Sequence, residues 1–340
     1  MRIAVLDVGS NSAHLQIADL EPDGTIRDVA SAKHPTRLAE RTGPGGRIDA
    51  AAVERLVRSV GTAHRIALEH GAAEMIAFAT SAIREADGDD AIARRVADRT
   101  GIRLDSLPGR DEARLTFLAA RAWFGRSAGP LLLADIGGGS LEIAAGDGTE
   151  SAVEVSVPLG AGRLTREHLS GDPPEPERVE RLAEHIRTVF DEKVRPELPL
   201  DEIAGPRFEL RAVATSKTFK QLAKLTGGRD RQGRRVLKRK RLRKRIPRLA
   251  KLPAGERARL KGVSASRAEQ ILAGAMVAEA FMTAFDVKRL ELCPWAVREG
   301  IALRRLQQVS ATLGLRYDID RLVQPLEAPE LDAPARLLGA

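Results

Sequence analysis

Asp7-Val8-Gly9-Ser10-Asn11-Ser12, close to the start of the chain, returns as Asp135-Ile136-Gly137-Gly138-Gly139-Ser140. Each copy follows an apolar run, Ile3-Ala4-Val5-Leu6 and Leu131-Leu132-Leu133-Ala134, and leads into an alternating segment, Ala13-His14-Leu15-Gln16-Ile17-Ala18 and Leu141-Glu142-Ile143-Ala144. Both copies therefore read as strand, tight polar turn, strand. An aspartate followed by glycine and small hydroxyl residues at a hairpin tip leaves backbone N–H groups uncovered and close enough together to cradle phosphate oxygens. One such turn alone reads as an ordinary hairpin. Two matched copies point to a pair of anion-gripping loops.

The repeat reaches further. Ala79-Thr80-Ser81, after Met75-Ile76-Ala77-Phe78, is echoed by Ala214-Thr215-Ser216, after Leu210-Arg211-Ala212-Val213. The same order at a nearly constant offset predicts two duplicated α/β domains facing each other across a cleft. A chain of 340 residues with 43% hydrophobic side chains can bury two cores of ordinary domain size. Aromatic residues make up only 3%, so those cores must be built from Ala, Val, Leu and Ile. The single cysteine, Cys293, excludes an intramolecular disulfide and a multi-cysteine zinc site, and its apolar neighbours favour a buried thiol over a nucleophile. Met1-Arg2-Ile3 runs straight into the first strand and no apolar run approaches membrane-spanning length. The expected setting is cytoplasmic, with no membrane partner.

The net charge of +8 is unevenly spread. Residues 229–251 read RDRQGRRVLKRKRLRKRIPRLAK, in which Asp230 is the one acid. Val236, Leu237, Leu242, Ile246 and Leu249 recur at mixed three- to five-residue steps, a pattern compatible with a basic amphipathic helix ended near Pro247. Such a face is either simply solvated or an electrostatic collector for a polyanion. No aromatic residue interrupts the run, which removes base stacking. An inorganic polyanion fits better than nucleic acid, which is not expected as a partner.

Periodicity predicts helices over 51–67, 89–99, 111–123, 179–193, 218–225, 265–285 and 297–310, and strands over 74–79, 208–214 and 289–292. Residues 196–206 read as a loop. The Gly-rich linker at 125–130 separates a first unit, 1–125, from a second, 126–310, each with one loop. Residues 311–340 form a tail, expected to be loosely held from Pro325 onward.

DVGSNS, ATSAIREA, GRDEARL (109–115), DIGGGSLEI, VPLGAGRLT (157–165) and CPWAVREG (293–300) together resemble the exopolyphosphatase and guanosine pentaphosphate phosphohydrolase family, Ppx/GppA type, over about residues 1 to 310 and in the right order. The resemblance implies two ribonuclease H-like domains of the actin, Hsp70 and sugar kinase superfamily flanking a catalytic cleft. In detail the chain resembles the short actinobacterial members that stop after these two domains. Longer relatives add a helical domain with a histidine-aspartate motif, and none of the six histidines here precedes an aspartate. The family also implies a homodimer.

Removing a terminal phosphoryl group from a phosphoanhydride requires an oriented water and neutralisation of the transferring oxygens, usually with Mg²⁺. The resemblance places Glu112 at the cleft as the carboxylate that positions or deprotonates the water; on its own, Glu112 reads as a helix-start carboxylate favoured by the dipole. Asp135 and Glu142 flank the second loop and suit a hard divalent ion, Mg²⁺ or Mn²⁺. Asp7 is their counterpart in the first loop, or else it stabilises its own turn. Ser10, Asn11, Ser12, Gly137, Gly138, Gly139 and Ser140 are the candidate phosphate grips. Arg84, on the turn after Thr80-Ser81, resembles the family's active-site arginine. Arg267 is a further substrate contact or a plain surface arginine at a helix start.

Kinases and chaperones of the superfamily carry a Gly-Gly-Thr type turn where adenosine sits. Here that turn is Thr215-Ser216-Lys217-Thr218. Lys217 should hinder a nucleoside and welcome another phosphate. The expected reaction is release of orthophosphate from the end of inorganic polyphosphate, with short chains favoured. Guanosine pentaphosphate hydrolysis and a non-catalytic sensor of polyphosphate or alarmone are the alternatives; the resemblance to short actinobacterial members also implies guanosine tetraphosphate as a ligand that inhibits rather than one that is cleaved. Retained Glu112, Asp135 and Glu142 argue against the sensor, and the altered turn argues against a kinase.

Overall fold

Apolar residues along 2–8 and 12–20 allow both faces of these strands to be buried, and the two pair antiparallel as β1 (Arg2–Val8) and β2 (Ser12–Leu20). In the computed structural model the described residues are 1–21, 25–36, 38, 48–84, 88–204, 210–309, 319 and 322–326. The first unit continues with β3 (Ile26–Pro35), α1 (Ala50–Glu69), β4 (Glu74–Ala79), α2 (Ser81–Arg84), α3 (Asp89–Thr100), β5 (Asp105–Ser106) and α4 (Gly109–Phe124). The second starts with β6 (Leu131–Ile136), β7 (Leu141–Gly146), β8 (Val153–Val157), α5 (Ala161–His168), α6 (Pro176–Val189) and α7 (Leu200–Ala204). It goes on through β9 (Arg211–Thr215), α8 (Ser216–Thr226), β10 (Val236–Lys238), α9 (Arg239–Lys251), α10 (Ala254–Arg257), α11 (Ile271–Ala284) and β11 (Arg289–Leu292). α12 (Val297–Val309) and β12 (Val323–Pro325) follow.

The duplication is visible in the sheets. β1 lies between antiparallel β2 and parallel β4, with β3 beyond β2. β6 lies in the same way between antiparallel β7 and parallel β9, with β8 beyond β7. Both arrays bring the turn after the first strand next to the C-terminal end of the parallel strand, which is the edge where ligands bind in open α/β sheets.

Each unit has its own core, and α4 belongs to both. Its Leu115 packs with Ile3, Phe78, Val297 and Ile301, while Ala113, Phe117 and Ala120 pack with Leu131, Leu133, Val213 and Cys293. α12 follows the second sheet in sequence but returns to the first unit's core. The two helices touch backbone to backbone at Gly300, where a Cβ would lie 1.9 Å from the Leu115 carbonyl oxygen. Gly300→Ala should therefore destabilise the fold by about 2–3 kcal/mol through forced separation, read as a lower urea midpoint. An unchanged midpoint would mean that α4 and α12 part freely. Cys293 is fully buried, and burial pushes its thiol up to about 12.

Several expectations change. α9 runs through Pro247 to Lys251. The proline is on the solvent side while Leu242 and Leu249 are buried, so packing outweighs one lost hydrogen bond. The helix expected over 265–285 is a tight 3₁₀ turn, Ala265–Arg267, followed by α11. The 196–206 loop contains α7, and Arg84 ends the short α2 rather than sitting on a turn. Pro325 is held in β12, paired antiparallel with Glu74 of β4, and Ile319 and Leu322 are buried beneath. The rest of the tail, like residues 208–209 and 310, lies outside the described residues. Among the described residues no helix is long and apolar enough to cross a membrane.

Candidate active site

The two turns close identically through backbone. Gly9 N–H donates to the Ser12 carbonyl at 3.1 Å and Gly137 N–H to the Ser140 carbonyl at 2.9 Å. The aspartates are therefore not what closes them. The turns face each other at contact distance: a Cβ on Gly138 would lie 2.0 Å from Ser10 Oγ and 3.9 Å from Asn11 Nδ2. The start of α5 ties back the carbonyls of the second turn. Gly137 and Gly138 accept from the N–H groups of Ala161 and Arg163 at 3.1 and 2.9 Å, and Gly139 accepts from Arg163 Nε at 2.9 Å. With the carbonyls engaged, the N–H groups of Gly138, Gly139 and Ser140 have no backbone acceptor among the described residues. Asn11 Nδ2 is a buried donor without a partner. Donors left over on both sides of one gap are the chemistry of an oxyanion site.

Four carboxylates converge on the same gap. Asp135 and Glu142 stand directly opposite each other across β6 and β7, and Asp7 holds the corresponding place on β1. Glu112 sits in the first turn of α4. That helix start nests against β8 because residue 109 is glycine: a Cβ there would be 2.2 Å from Ser156 Oγ. Ser156 Oγ in turn donates to Glu142 Oε1 at 3.0 Å. Arg84 Nη1 is 4.0 Å from Glu112 Oε2 and donates to the Leu107 carbonyl at 2.5 Å. Glu112 Oε2 is buried without a hydrogen-bond partner.

Burial pushes Glu142 up to about 7, with Asp135 adding to it, and pushes Asp135 up to about 6, with Lys220 opposing and Asp7 adding to it. Glu112 is raised well above the usual carboxylate range by burial and then by Glu142, Asp135 and Asp7, with Arg84 acting in the opposite sense. Asp7 is raised by burial, against Arg298 and Lys33. Oxygen donors raised in this way by one another match a hard cation. Among the described residues no three His, Cys, Asp or Glu side chains form a ready-made coordination sphere. Mg²⁺ suits that spacing, since it takes one or two carboxylates and fills its other positions with water and phosphate oxygens.

Cations ring the opening. Lys217 is exposed at the start of α8, and Arg267 is half-buried within electrostatic range of Asp135. Sequence reasoning missed four neighbours. His14 faces Asp7 across β1 and β2, Lys33 faces His14 across β2 and β3, and Arg298 contacts His14 Nδ1. Burial, followed by Arg298, Lys33 and Lys217, pushes His14 down to about 4. Ser216, the fourth, hydrogen-bonds Asp135 from a backbone φ of 76°, a conformation that costs non-glycine residues about 1–3 kcal/mol. The repeat could have exposed His14 as the counterpart of Glu142; it does place Ser216 opposite Ser81, but nothing in the sequence ties that hydroxyl to Asp135.

The chain is 45% identical over 310 residues to Exopolyphosphatase 1 of Mycobacterium tuberculosis, covering 90% of this chain and 88% of the relative. The Ppx/GppA protein of Aquifex aeolicus superposes with a TM-score of 0.72 at 26% identity, covering 91% of this chain and 98% of that one. An exopolyphosphatase structure from Cytophaga hutchinsonii gives a TM-score of 0.77 at 23% identity over 91% and 98% of the two chains, a likeness of fold. The profile of the Ppx/GppA phosphatase family matches residues 17–309, and with paired turns, shared α4 and matching relatives in agreement, the chain belongs to that family.

Proposed function

We propose that this protein is an exopolyphosphatase, releasing orthophosphate from the end of inorganic polyphosphate. The observation that carries the reading is Glu112: a buried carboxylate oxygen at a helix start with no hydrogen-bond partner, 4.0 Å from Arg84, in a site whose Gly138, Gly139 and Ser140 N–H groups have no backbone acceptor among the described residues. In this reading the N–H groups of Gly138, Gly139 and Ser140, with Ser10, Asn11 and Ser12 opposite, hold the terminal phosphoryl oxygens. Glu112 orients the attacking water and takes its proton, and Arg84 steadies the charge that develops. One or two of Asp7, Asp135 and Glu142 would hold a divalent cation, Mg²⁺ or Mn²⁺, its other positions being left to water and phosphate; when bound it would supply charge neutralisation on phosphate oxygens. Neutralising these carboxylates would remove the repulsion they exert on Glu112, leaving burial as the main influence that raises it and Arg84 as the one that opposes it.

The name of the mycobacterial relatives supports polyphosphate as substrate. Lys217 at the turn where other superfamily members hold adenosine supports an inorganic rather than a nucleoside substrate. The test is orthophosphate release from short polyphosphate, long polyphosphate, guanosine pentaphosphate and ATP with Mg²⁺ present. Faster release from polyphosphate than from either nucleotide is expected. A guanosine pentaphosphate rate above the polyphosphate rate would move the assignment to the alarmone.

The basic helix has a separable role. Arg239 bonds the Met282 carbonyl and Asp286, Arg241 bonds the Thr226 and Gly227 carbonyls, and Arg243 pairs with Glu279. Lys240, Lys244, Arg248 and Lys251 are exposed along one face of α9. If that face collects long chains, replacing these four with Ser should lower the salt slope of long-chain binding by about one per lost phosphate contact. An unchanged slope would mark a merely solvated face.

A further inference from the structure

Each unit carries a row of three residues across the three strands beside its turn. Asp135, Glu142 and Ser156 lie side by side on β6, β7 and β8. Asp7, His14 and Lys33 lie side by side on β1, β2 and β3. The positions are equivalent and the chemistry is opposite. The second row presents two carboxylates and a hydroxyl, whereas the first places an imidazole and an ammonium outward from its aspartate.

The basic row continues across the cleft. Lys33, from the first unit, meets the side chain of Lys217, from the second. Both are exposed. Arg298 touches His14 Nδ1, and Arg298 Nε is buried without a partner. After its own partial burial, the groups that act most on Lys33 are all cations, Lys217, Arg267 and Arg298, and they lower its affinity for a proton. Four cations drawn from β3, α8, the 3₁₀ turn before α11 and α12 repel one another unless an anion lies between them. An anion that reaches them from the turn must be extended, since Lys33 and Lys217 come from different units and are exposed whereas Glu142, just beyond the 137–140 turn, is buried.

We propose that Lys33 and Lys217 form a two-sided clamp on the phosphates of the leaving chain, next to the one being removed. The inference rests on the exopolyphosphatase reading. In the reaction, water oxygen forms a bond to the terminal phosphorus as the bridging P–O bond breaks; the water's proton passes to Glu112 and the electron pair of the broken bond stays on the leaving chain. The clamp sits where that negative charge accumulates. The arrangement gives the cleft a direction: chain end toward β6 and β7, remainder toward β3.

The test compares Glu112→Gln with the double variants Glu112→Gln/Lys33→Gln and Glu112→Gln/Lys33→Arg, in the full chain. Tripolyphosphate affinity is measured by calorimetry, and orthophosphate affinity by its competition. Lys33→Gln should weaken tripolyphosphate about tenfold, the loss of one charge-assisted contact. Orthophosphate binding should be unchanged, and Arg should restore most of the loss. Unchanged tripolyphosphate affinity would overturn the clamp. Equal weakening of orthophosphate would also overturn it, since that marks a disturbed turn. Failure of the unaltered protein to release orthophosphate from any polyphosphate would sink the exopolyphosphatase reading instead, and the binding comparison would still decide the clamp.

Discussion

Replacing Glu112 by Gln should lower orthophosphate release from tripolyphosphate by about a thousandfold, the usual scale for removing a general base. The side chain keeps its size, and the amide can still face Arg84, so substrate affinity should change less than about twofold. The variant should also be more stable than the parent near neutral pH, because one of four mutually repelling carboxylates is gone. This combination, with activity lost, binding kept and stability gained, is what a strained functional group gives. A helix-start carboxylate that only served the dipole would give the reverse, with stability lost and activity largely kept. Steady-state kinetics, calorimetry and thermal melting of the same preparation separate the two.

The second large effect is on stability against pH, and its sign follows from the raised carboxylates. With Glu142 pushed up to about 7 and Asp135 to about 6, the folded chain holds protons that the unfolded chain has released. The unfolding free energy of the metal-free protein should therefore fall as pH rises from the ordinary carboxylate range through neutrality. Glu142 alone contributes on the order of 3 kcal/mol to that loss. A divalent cation relieves the same repulsion. Magnesium should raise the melting temperature by roughly 5 °C at about pH 8 and by little at about pH 5. Thermal melts with and without magnesium at the two pH values check this. A magnesium shift independent of pH, or a metal-free protein that gains stability as pH rises, would place cation binding away from these carboxylates.

Much of the fold was legible because its signals are local. β1 and β2, and β6 and β7, announce themselves by two-residue alternation around turn residues, and their repetition implied the facing arrangement. Glu112 and Arg84 came from motif resemblance, and the structure adds what no motif carries, that Gly109 lets α4 nest on Ser156 beside Glu142. β3 was invisible because none of its residues is fully buried and its apolar and polar residues do not alternate cleanly, and with it went Lys33. The return of α12 to the first core depends on a contact between Gly300 and Leu115, far apart in sequence. Pro247 is locally a helix breaker, but buried Leu242 and Leu249 on either side of it hold α9 together. For α12 and for Pro247 alike, long-range packing outweighed local preference.

The most direct test of the account is where water's oxygen goes. Tripolyphosphate is hydrolysed in heavy-oxygen water, and the products are separated and weighed by mass spectrometry. Attack by a water held by Glu112 on the phosphorus seated at the 137–140 turn predicts one heavy oxygen in the released orthophosphate and none in the remaining pyrophosphate. Label in the pyrophosphate, or unlabelled orthophosphate, would contradict it.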